Sequence, residues 1–316
     1  MKIRKDTLIK LLNAKGSDKL PELECSGVEF DSRAVKQGQL FVALKGENSH
    51  GHQFVDKALE LGASLVLVED PKFLSKKTAD KVIVVDDTLK AFQQLATYFR
   101  AQFKGKVLAV TGSMGKTTIK QMTQTILSEH SSGSYSKGSY NNHVGVPYTI
   151  CNANIDDSWW VLEMGMNHTG ELSVLTKIGA PDVAIISCIA PVHMEYFKDL
   201  NEVAAAKLEI LEGLTENSIA IINKDYELLI QEFEKWNDKQ PKNLKTVYFG
   251  TDKNSDIQLS NVKELGLGGL SFTLTNNYNG KPSNAFDVST NCLGVHNAGN
   301  FTAAAAAALS LSLIHI

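Results

Sequence analysis

Residues 106–127 read KVLAVTGSMGKTTIKQMTQTIL, and this stretch decides the fold of the chain. An apolar run at 107–110 stops at a short glycine loop, which closes on Gly115 and Lys116 and leads directly into apolar residues at helical spacing. A strand, a glycine loop and a helix in this order cradle phosphate, because backbone N–H groups and the helix N-terminus face the anion. The loop is T-G-x-x-G-K-T, shorter than G-x-x-x-x-G-K-[ST], whose first glycine would fall at Val110. The stretch therefore predicts a phosphate site at a strand-to-helix junction.

The loop also carries a charge and a candidate metal ligand. Lys116 adds positive charge, and Thr117 is placed to offer its hydroxyl to a magnesium ion. A glycine loop that only turned a strand into a helix would explain neither residue. The candidate phosphate and metal contacts in the loop are Thr111, Gly112, Ser113, Gly115, Lys116, Thr117 and Thr118.

The composition is that of an ordinary globular protein: of 316 residues, 43% are hydrophobic and 21% are charged. This length is enough for two domains with cores of their own. A net charge of −3 gives no reason to expect a nucleic-acid or membrane surface, and no apolar run reaches bilayer-spanning length. The four cysteines lie too far apart for a disulfide framework or a metal knot, so we expect a reducing, cytoplasmic location.

The pattern of apolar residues predicts two α/β domains, 1–103 and 104–316, divided at the basic KGK of 104–106. In the first domain we expect Asp6 to cap a helix, followed by strands at 39–44, 64–68 and 82–85 and helices at 52–61 and 88–103. In the second we expect strands at 107–110, 159–163, 183–187 and 218–222, helices after Gly115, Thr169, Asn201 and Lys224, and a last helix at 297–311. Continuous apolar strands between helices imply a mostly parallel, doubly wound sheet, whereas the alternation at 255–290 predicts an antiparallel excursion.

Several polar residues fall where predicted strands end. Ligands of doubly wound sheets lie beyond the carboxyl ends of the strands, so Glu163 is expected beside the glycine loop, where it could hold magnesium. A solvated acid at a strand terminus is the alternative. His193 occupies a loop at the end of the next predicted strand, a position that favours a functional histidine over an ordinary surface one.

Polar residues on two of the predicted helices indicate little about function from their spacing alone. Lys207 lies among alanines on a helix, and its spacing would mark only a solvated lysine. Asn297 and Asn300 lie about one helical turn apart and could read the edge of a base, although helix capping by Asn297 is an equally good local explanation.

These motifs, TGSMGKTT, the strand ending in Glu163, the His193 loop, the AAAK helix around Lys207 and HNAGN, resemble in this order the Mur ligases. Mur ligases are ATP-dependent, amide-forming enzymes of bacterial cell-wall synthesis. NNHVGVP at 141–147 is similar to the signature of the branch that joins D-Ala-D-Ala to UDP-N-acetylmuramoyl-tripeptide. FDSR at 30–33, LFVALKG at 40–46 and GH at 51–52 resemble that branch's uridine-binding domain, a pattern shared with the ligase that adds the third peptide residue. The resemblance implies a small N-terminal α/β uridine-binding domain before the P-loop domain.

The resemblance also implies roles. Lys116 and the loop amides would hold ATP phosphates, Thr117 and Glu163 would hold one magnesium ion, and His193 with Lys207 would serve a second. Lys207 matches the family's carbamoylated lysine, whose neutral amine takes up carbon dioxide to become an anionic metal ligand. The implied catalytic residues are Lys116, His193 and Lys207. Asn297 and Asn300 would lie near adenine, and Asn141 and Asn142 would help to place the muramoyl-peptide. The implied substrate contacts of the first domain, around the uridine diphosphate end, are Ser32, Arg33, Lys45, Gly46 and His52.

The implied reaction begins with phosphoryl transfer from ATP to a peptide carboxylate, whose negative charge lysine and two magnesium ions would shield. The amine of D-Ala-D-Ala would then attack the acyl phosphate, and phosphate would leave. The partners would be these small molecules, with no nucleic acid and no membrane, and nothing in the sequence demands more than a monomer.

The sequence departs from the Mur ligases in one respect, because it lacks a motif of their C-terminal domain. Mur ligases carry a third, C-terminal domain with a D-x-Y-N-A-N-P motif, and nothing in this sequence matches it. We interpret the chain as truncated and expect it to bind nucleotide and UDP-sugar while forming little or no product. Alternatives are the ligase adding the third residue, folylpolyglutamate synthetase, which lacks a uridine domain, and a P-loop kinase or motor. A nucleotide-binding module without synthesis is a further alternative, but it would not need a second metal site.

Overall fold

The computed structural model describes residues 1–16, 23–46, 50–70, 81–192, 194–239, 244–278 and 284–311. The chain forms two compact units. Unit 1 comprises Met1–Phe103 and Pro147–Ile155, and unit 2 comprises Lys104–Val146 and Asp156–Ile316. Within the described residues, no helix is both long and apolar enough to cross a bilayer.

Unit 1 is built on a small, mostly parallel sheet. Up to residue 103, its elements are β1 (Lys2–Arg4), α1 (Lys5–Leu12), β2 (Lys15–Gly16), β3 (Glu24–Ser26), β4 (Val28–Glu29), β5 (Leu40–Val42), a 3-10 helix (Gly51–Phe54), α2 (Val55–Glu60), β6 (Leu65–Val68), β7 (Val82–Val84) and α3 (Thr88–Gln102). In the described part, β4, β5, β6 and β7 run parallel, β2 pairs antiparallel with β7, and β1 pairs separately with β3. The apolar strands are buried, as expected for a covered parallel sheet.

The first helix of unit 1 begins differently from the prediction, and helix α3 begins where predicted. The prediction that Asp6 caps α1 is wrong, because the helix begins at Lys5 and Arg4 occupies the N-cap without a side-chain hydrogen bond. Asp6 lies instead in the first turn, where its charge complements the helix dipole. Helix α3 does have an acidic cap, since the Asp87 side chain accepts a hydrogen bond from the Lys90 N–H.

The segment Pro147–Ile155 joins unit 1 although it lies in the middle of the sequence. The Asn152 side chain pairs with the backbone of Val28, donating to its carbonyl at 2.9 Å and accepting from its N–H at 3.0 Å. The Tyr148 hydroxyl donates to Glu29 Oε2 at 3.0 Å. These hydrogen bonds attach residues 147–155 to strand β4 of unit 1. The sequence pattern did not predict this attachment.

After Phe103 the elements alternate more regularly. They are β8 (Lys106–Thr111), α4 (Lys116–Ser128), β9 (Gly133–Tyr135), α5 (Gly145–Asn152), β10 (Trp159–Glu163), α6 (Glu171–Gly179), β11 (Val183–Ile186), α7 (Leu200–Leu208), a 3-10 helix (Glu209–Gly213), β12 (Ile219–Asn223), α8 (Glu227–Asn237), β13 (Lys245–Gly250), β14 (Ile257–Glu264), a 3-10 helix (Gly266–Gly268), β15 (Leu270–Asn276), β16 (Asn284–Thr290) and α9 (His296–Ser310). In the described residues the strand order of unit 2 is β16-β15-β14-β13-β12-β11-β8-β10-β9. Neighbours from β9 to β14 are parallel, and β15 and β16 continue the sheet antiparallel. The predicted parallel sheet with an antiparallel excursion is therefore confirmed.

The central strands of this sheet are covered on both faces. Leu108 and Val110 of β8 pack in one cluster with residues of α4 and α9, such as Ile119 and Ala307. Val107 and Ala109, which alternate with them and face the other way, are also fully buried. Continuous apolar strands are the consequence of this double cover.

Strand β9 escaped prediction because Gly133–Tyr135 has no apolar run. Gly133 lies opposite Trp159 of β10, and a Cβ at this glycine would collide with the indole ring. The absent side chain therefore makes room for a fully buried tryptophan.

Two glycine substitutions test this packing in opposite directions. Gly133→Ala forces the Trp159 ring or the strand to shift, and we expect a loss of about 1–3 kcal/mol of unfolding free energy. Gly299→Ala on α9 meets no atom within 4 Å of the new Cβ. Its better helix propensity should stabilise the protein by about 0.5–1 kcal/mol. Urea unfolding of both variants checks the pair, and an unchanged Gly133→Ala midpoint would contradict the packing account.

Candidate active site

The candidate site of unit 2 lies at one edge of its sheet. Strands β8, β10 and β11 run parallel as neighbours, so the loops after Thr111, Glu163 and Ile186 begin at the same edge. Glu163 pairs in register with Val110, one residue before the glycine loop begins. The carboxyl ends of strands are where doubly wound sheets bind ligands.

The glycine loop needs glycine at both ends. Gly112 has φ +148° and Gly115 has φ +82°, backbone conformations that residues with a Cβ rarely adopt. A Cβ at Gly112 would collide with the Ser187 side chain, and one at Gly115 would press against Asn300 Oδ1. The loop thus passes close to two other segments of unit 2.

Residues after β11 hold this loop in shape. Ser113 donates its backbone N–H to the Cys188 carbonyl at 3.0 Å, and its hydroxyl donates to the Ala190 carbonyl at 3.0 Å. The Ser187 hydroxyl donates to the Met114 carbonyl at 2.6 Å. Hydrogen bonds within the chain therefore hold the loop in its conformation, so an anion would not have to order it. Thr111 Oγ1 is buried and has no hydrogen-bond partner in the part of the chain that the structure describes.

Lys116 lies against the loop that precedes it. Its Nζ donates to the carbonyls of Gly112, at 2.7 Å, and Ser113, at 3.3 Å. Burial lowers the pKa of this amine, while the nearby Glu163 carboxylate acts in the opposite direction. An anion in the loop would meet a pre-positioned cation.

Glu163 is the centre of the site and only 1% exposed. The Thr117 hydroxyl lies 3.1 and 3.0 Å from its two carboxylate oxygens, Asn141 Nδ2 donates to Oε1 at 2.8 Å, and Lys120 Nζ donates to Oε2 at 3.0 Å. The alternative of a solvated acid is excluded by this burial. Sequence reasoning missed Lys120, although its position three residues after Thr117 on a helix places both on one face.

The two asparagines at 141 and 142 have partners within unit 2. Asn141 bonds Glu163, as above, and its carbonyl accepts the Gly165 N–H at 2.8 Å. Asn142 Oδ1 accepts the N–H groups of Val144, at 3.2 Å, and Gly145, at 2.9 Å, at the start of α5. The loop that carries both residues is thereby tied to the carboxylate.

Lys207 on α7 is 2% exposed. Burial lowers the pKa of its amine to about 8, and the positive charge of Lys116 acts in the same direction. Among the described residues no carboxylate lies within ion-pair distance of Lys207. The interpretation as an ordinary solvated lysine is therefore wrong. His193 lies outside the described residues, and among the residues that the structure describes no cluster of three His, Cys, Asp or Glu residues suits a metal ion.

A cavity of about 960 Å³ opens beside the glycine loop. Its lining includes Thr118, Tyr226 and Asn300. Asn297 does not cap α9, as its local alternative proposed, because the helix begins at His296 and Val295 is the N-cap. Instead its Nδ2 donates to the Leu293 carbonyl at 2.8 Å, and its Oδ1 accepts from Asn300 Nδ2 at 2.9 Å.

In unit 1 the candidate substrate residues follow β4 and β5, parallel neighbours whose ends share an edge. Ser32 is buried, and the exposed Arg33 forms a two-pronged ion pair with Asp31, with Nη2 to Oδ2 at 2.7 Å and Nε to Oδ1 at 2.9 Å. These hydrogen bonds lower the pKa of Asp31 to about 2. Lys45 and Gly46 are exposed in the loop after β5.

His52 is 2% exposed, and neighbouring groups occupy its ring. Its Nε2 accepts the backbone N–H groups of Glu69, at 2.9 Å, and Asp70, at 3.3 Å, and its Nδ1 lies 3.1 Å from His50 Nδ1. Two accepted bonds at Nε2 place the ring proton on Nδ1. Burial lowers the pKa of His52, with the His50 charge acting in the same direction, so the neutral ring orders the loops after β5 and β6.

Family comparisons agree with this geometry. Residues 110–308 match the model described as Mur ligase middle domain, and residues 24–100 match the one described as Mur ligase family, catalytic domain. The first of these covers more than half of the chain. The chain belongs to the Mur ligase family.

The similar proteins belong to one branch of the Mur ligase family. The Escherichia coli K12 UDP-N-acetylmuramoyl-tripeptide–D-alanyl-D-alanine ligase is 36% identical over 92% of this chain and 61% of its own length. A crystal structure of MurF from Acinetobacter baumannii superposes with a TM-score of 0.87 at 30% identity, over 99% of this chain and 66% of that one. MurF ligase from Thermotoga maritima, crystallised with ADP, gives 0.76 at 26% identity, over 94% of this chain and 64% of that one. The chain spans between about three fifths and two thirds of the length of these relatives.

The buried amine of Lys207 should make stability depend on pH. The pKa falls from 10.5 to about 8 on folding, so the unfolded chain binds more protons between these values and wild-type stability rises with pH across that window. Lys207→Met abolishes the titration, and below pH 8 we expect the variant to be more stable than wild type by about 3 kcal/mol, an advantage that disappears toward pH 10.5.

Urea unfolding at pH 7 and pH 10 in bicarbonate-free buffer measures this difference. Lys198→Met, at an exposed lysine, is the matched control and should show no such pH dependence. A Lys207→Met advantage that stays constant with pH would contradict a buried, depressed amine.

Proposed function

We propose that the chain carries the nucleotide site and the UDP-muramoyl-peptide site of a ligase that joins D-Ala-D-Ala to UDP-N-acetylmuramoyl-tripeptide. The observation that carries the proposal is the contact of Thr117 and Glu163 beside a glycine loop that holds a lysine. A hydroxyl and a carboxylate are the oxygen ligands that magnesium prefers next to nucleotide phosphates. The names of the relatives support the choice of substrates.

The residues present fit ATP and magnesium. Thr111 has a buried hydroxyl without a partner among the described residues, and Gly112 and Gly115 place no side chain where a phosphate would lie. Thr117 and Glu163 would hold magnesium, which when bound shields phosphate charge from the incoming carboxylate. Asn297 and Asn300 would lie near adenine, and Asn300 lines the cavity beside the loop.

The chain's own groups suit the activation of a carboxylate. Lys116 would neutralise phosphate charge as a peptide carboxylate oxygen attacks the γ-phosphorus of ATP and ADP leaves. The product is an acyl phosphate, whose carbonyl the amine of D-Ala-D-Ala attacks, with loss of phosphate and a proton. Burial around the site would limit the competing attack of water.

Lys207 would become a carbamate. A lysine with a pKa of about 8 is partly a neutral amine at neutral pH, and the neutral amine is the form that adds carbon dioxide. The Lys207 nitrogen forms a bond to the carbon of carbon dioxide and releases a proton. The side chain thereby changes from a cation that Lys116 repels to an anion that Lys116 attracts. With His193, this anion would serve a second magnesium site.

In unit 1, Ser32, Arg33, Lys45, Gly46 and His52 would surround the uridine diphosphate end, with the buried His52 ordering the loop after β5 that carries Lys45 and Gly46. Arg33 is exposed and can present its guanidinium to a phosphate. Asn141 and Asn142 would help to place the muramoyl-peptide through the loop bound to Glu163. We further propose a boundary near residue 103, a monomeric chain and a cytoplasmic location.

Two other functions make different predictions. A ligase that adds the third residue would prefer the UDP-linked dipeptide, since its substrate ends one residue earlier. A nucleotide-binding module would bind no UDP-muramoyl-peptide at all. Lys207 is buried and has no ion-pair partner in the part of the chain that the structure describes, which favours a ligase over a simple nucleotide binder.

Calorimetric titration with UDP-N-acetylmuramoyl-tripeptide, the dipeptide form and UDP-N-acetylmuramic acid separates these functions. We expect saturable binding that favours the tripeptide. Arg33→Ala should weaken binding by roughly tenfold, because it removes a charge-assisted phosphate contact, whereas Lys36→Ala nearby should change it less than about twofold. Preference for the dipeptide would support the preceding ligase, and no binding of any form by the folded chain would refute the uridine-site proposal.

A further inference from the structure

Lys120 is a buried cation to which the proposed reaction assigns no role. It is fully buried on α4, with Nζ 3.0 Å from Glu163 Oε2 and 2.5 Å from the Gly138 carbonyl. Lysine is almost never buried so completely unless it is paired. Removing one partner of such a pair leaves the other charge uncompensated and is strongly destabilising.

The other groups bound to Glu163 are neutral. Thr117 contributes a hydroxyl and Asn141 an amide. Within the described residues Lys120 is the one cation at ion-pair distance from the carboxylate. Lys120 therefore compensates Glu163 by direct contact, whereas Lys116 acts on the carboxylate from a longer distance.

Lys120 contacts Glu163 from the protein interior and not from the cavity. It does not line the cavity beside the glycine loop, and its complete burial keeps it from a ligand. Its contact with Gly138 also ties the loop before Asn141 to the carboxylate. Lys120 is therefore a positioning residue that acts through Glu163.

We propose that Lys120 and a divalent cation are alternative counter-charges for Glu163, so that Lys120 keeps the carboxylate compensated and in place whenever metal is absent. The inference rests on the proposed function in taking Glu163 and Thr117 as metal ligands. A bound Mg²⁺ would take over part of the compensation that Lys120 provides. Removing Lys120 should then make the stability of unit 2 depend on Mg²⁺.

Thermal unfolding of Lys120→Met in EDTA and in millimolar Mg²⁺, at equal ionic strength and without nucleotide, tests this directly. The variant should lose roughly 5–10 °C of Tm in EDTA, because Glu163 loses its counter-charge. Mg²⁺ alone should restore at least about half of that loss, while wild type should respond by less than about 2 °C. A residue with only a packing role would lower Tm equally in both buffers.

Thr123→Val is the matched control, because Thr123 is a buried residue of the same helix whose hydroxyl has no hydrogen-bond partner in the described chain. It should respond to Mg²⁺ as wild type does. In the double variant Lys120→Met with Glu163→Gln no charge remains to compensate, and the Mg²⁺ response should disappear. Lys120→Arg keeps the charge and should retain the wild-type response.

Different results contradict the role of Lys120 and the proposed function. A Lys120→Met variant that gains no more from Mg²⁺ than wild type overturns the inference. If Lys120→Met does not fold, the inference requires the double variant to fold, and its failure to fold would also overturn it. Titration of wild type with ADP and Mg²⁺ reports on the proposed function separately, since the response of Lys120→Met to Mg²⁺ alone needs no nucleotide.

Discussion

The buried carboxylate of Glu163 holds three segments of unit 2 together. Thr117 and Lys120 reach it from α4, and Asn141 reaches it from the loop before α5. It has this position because β10 pairs in register with β8, so that the end of one strand lies beside the loop that follows the other. A shift of this register would separate Glu163 from Thr117 and the glycine loop. The site is therefore a direct consequence of the parallel sheet.

A second constraint is electrostatic. Burial lowers the pKa of both Lys116 and Lys207, and the charge of Lys116 lowers that of Lys207 further. Neither lysine forms an ion pair within the described residues. A buried Lys207 and a partly buried Lys116 that repel each other are costly unless an anion joins them or one becomes neutral. The proposed nucleotide phosphate and the proposed carbamate would each relieve that cost.

The sequence predicted those features that depend on local pattern. The glycine loop, the apolar strands and Glu163 at a strand end follow from residue type and from the rule that parallel strands end together. Lys120 could not be assigned in this way, because its partner lies 43 residues away and only the folded sheet brings the two together. His52 was predicted from a resemblance, yet its ring is buried against backbone N–H groups that local pattern cannot reveal. The same holds for residues 147–155, whose attachment to unit 1 depends on Asn152 and Val28. His193 remains a prediction, since it lies outside the described residues.

The central claim is that Thr117 and Glu163 form a magnesium site for a nucleotide in the glycine loop. Calorimetric titration of the wild-type chain with ADP, in Mg²⁺ and again in EDTA, tests it most directly. We expect saturable binding that is tighter by roughly tenfold or more in Mg²⁺, because Thr117 and Glu163 would hold the metal, which would shield the phosphate charge. Equal affinity in both buffers, or no binding by a folded sample, would contradict it.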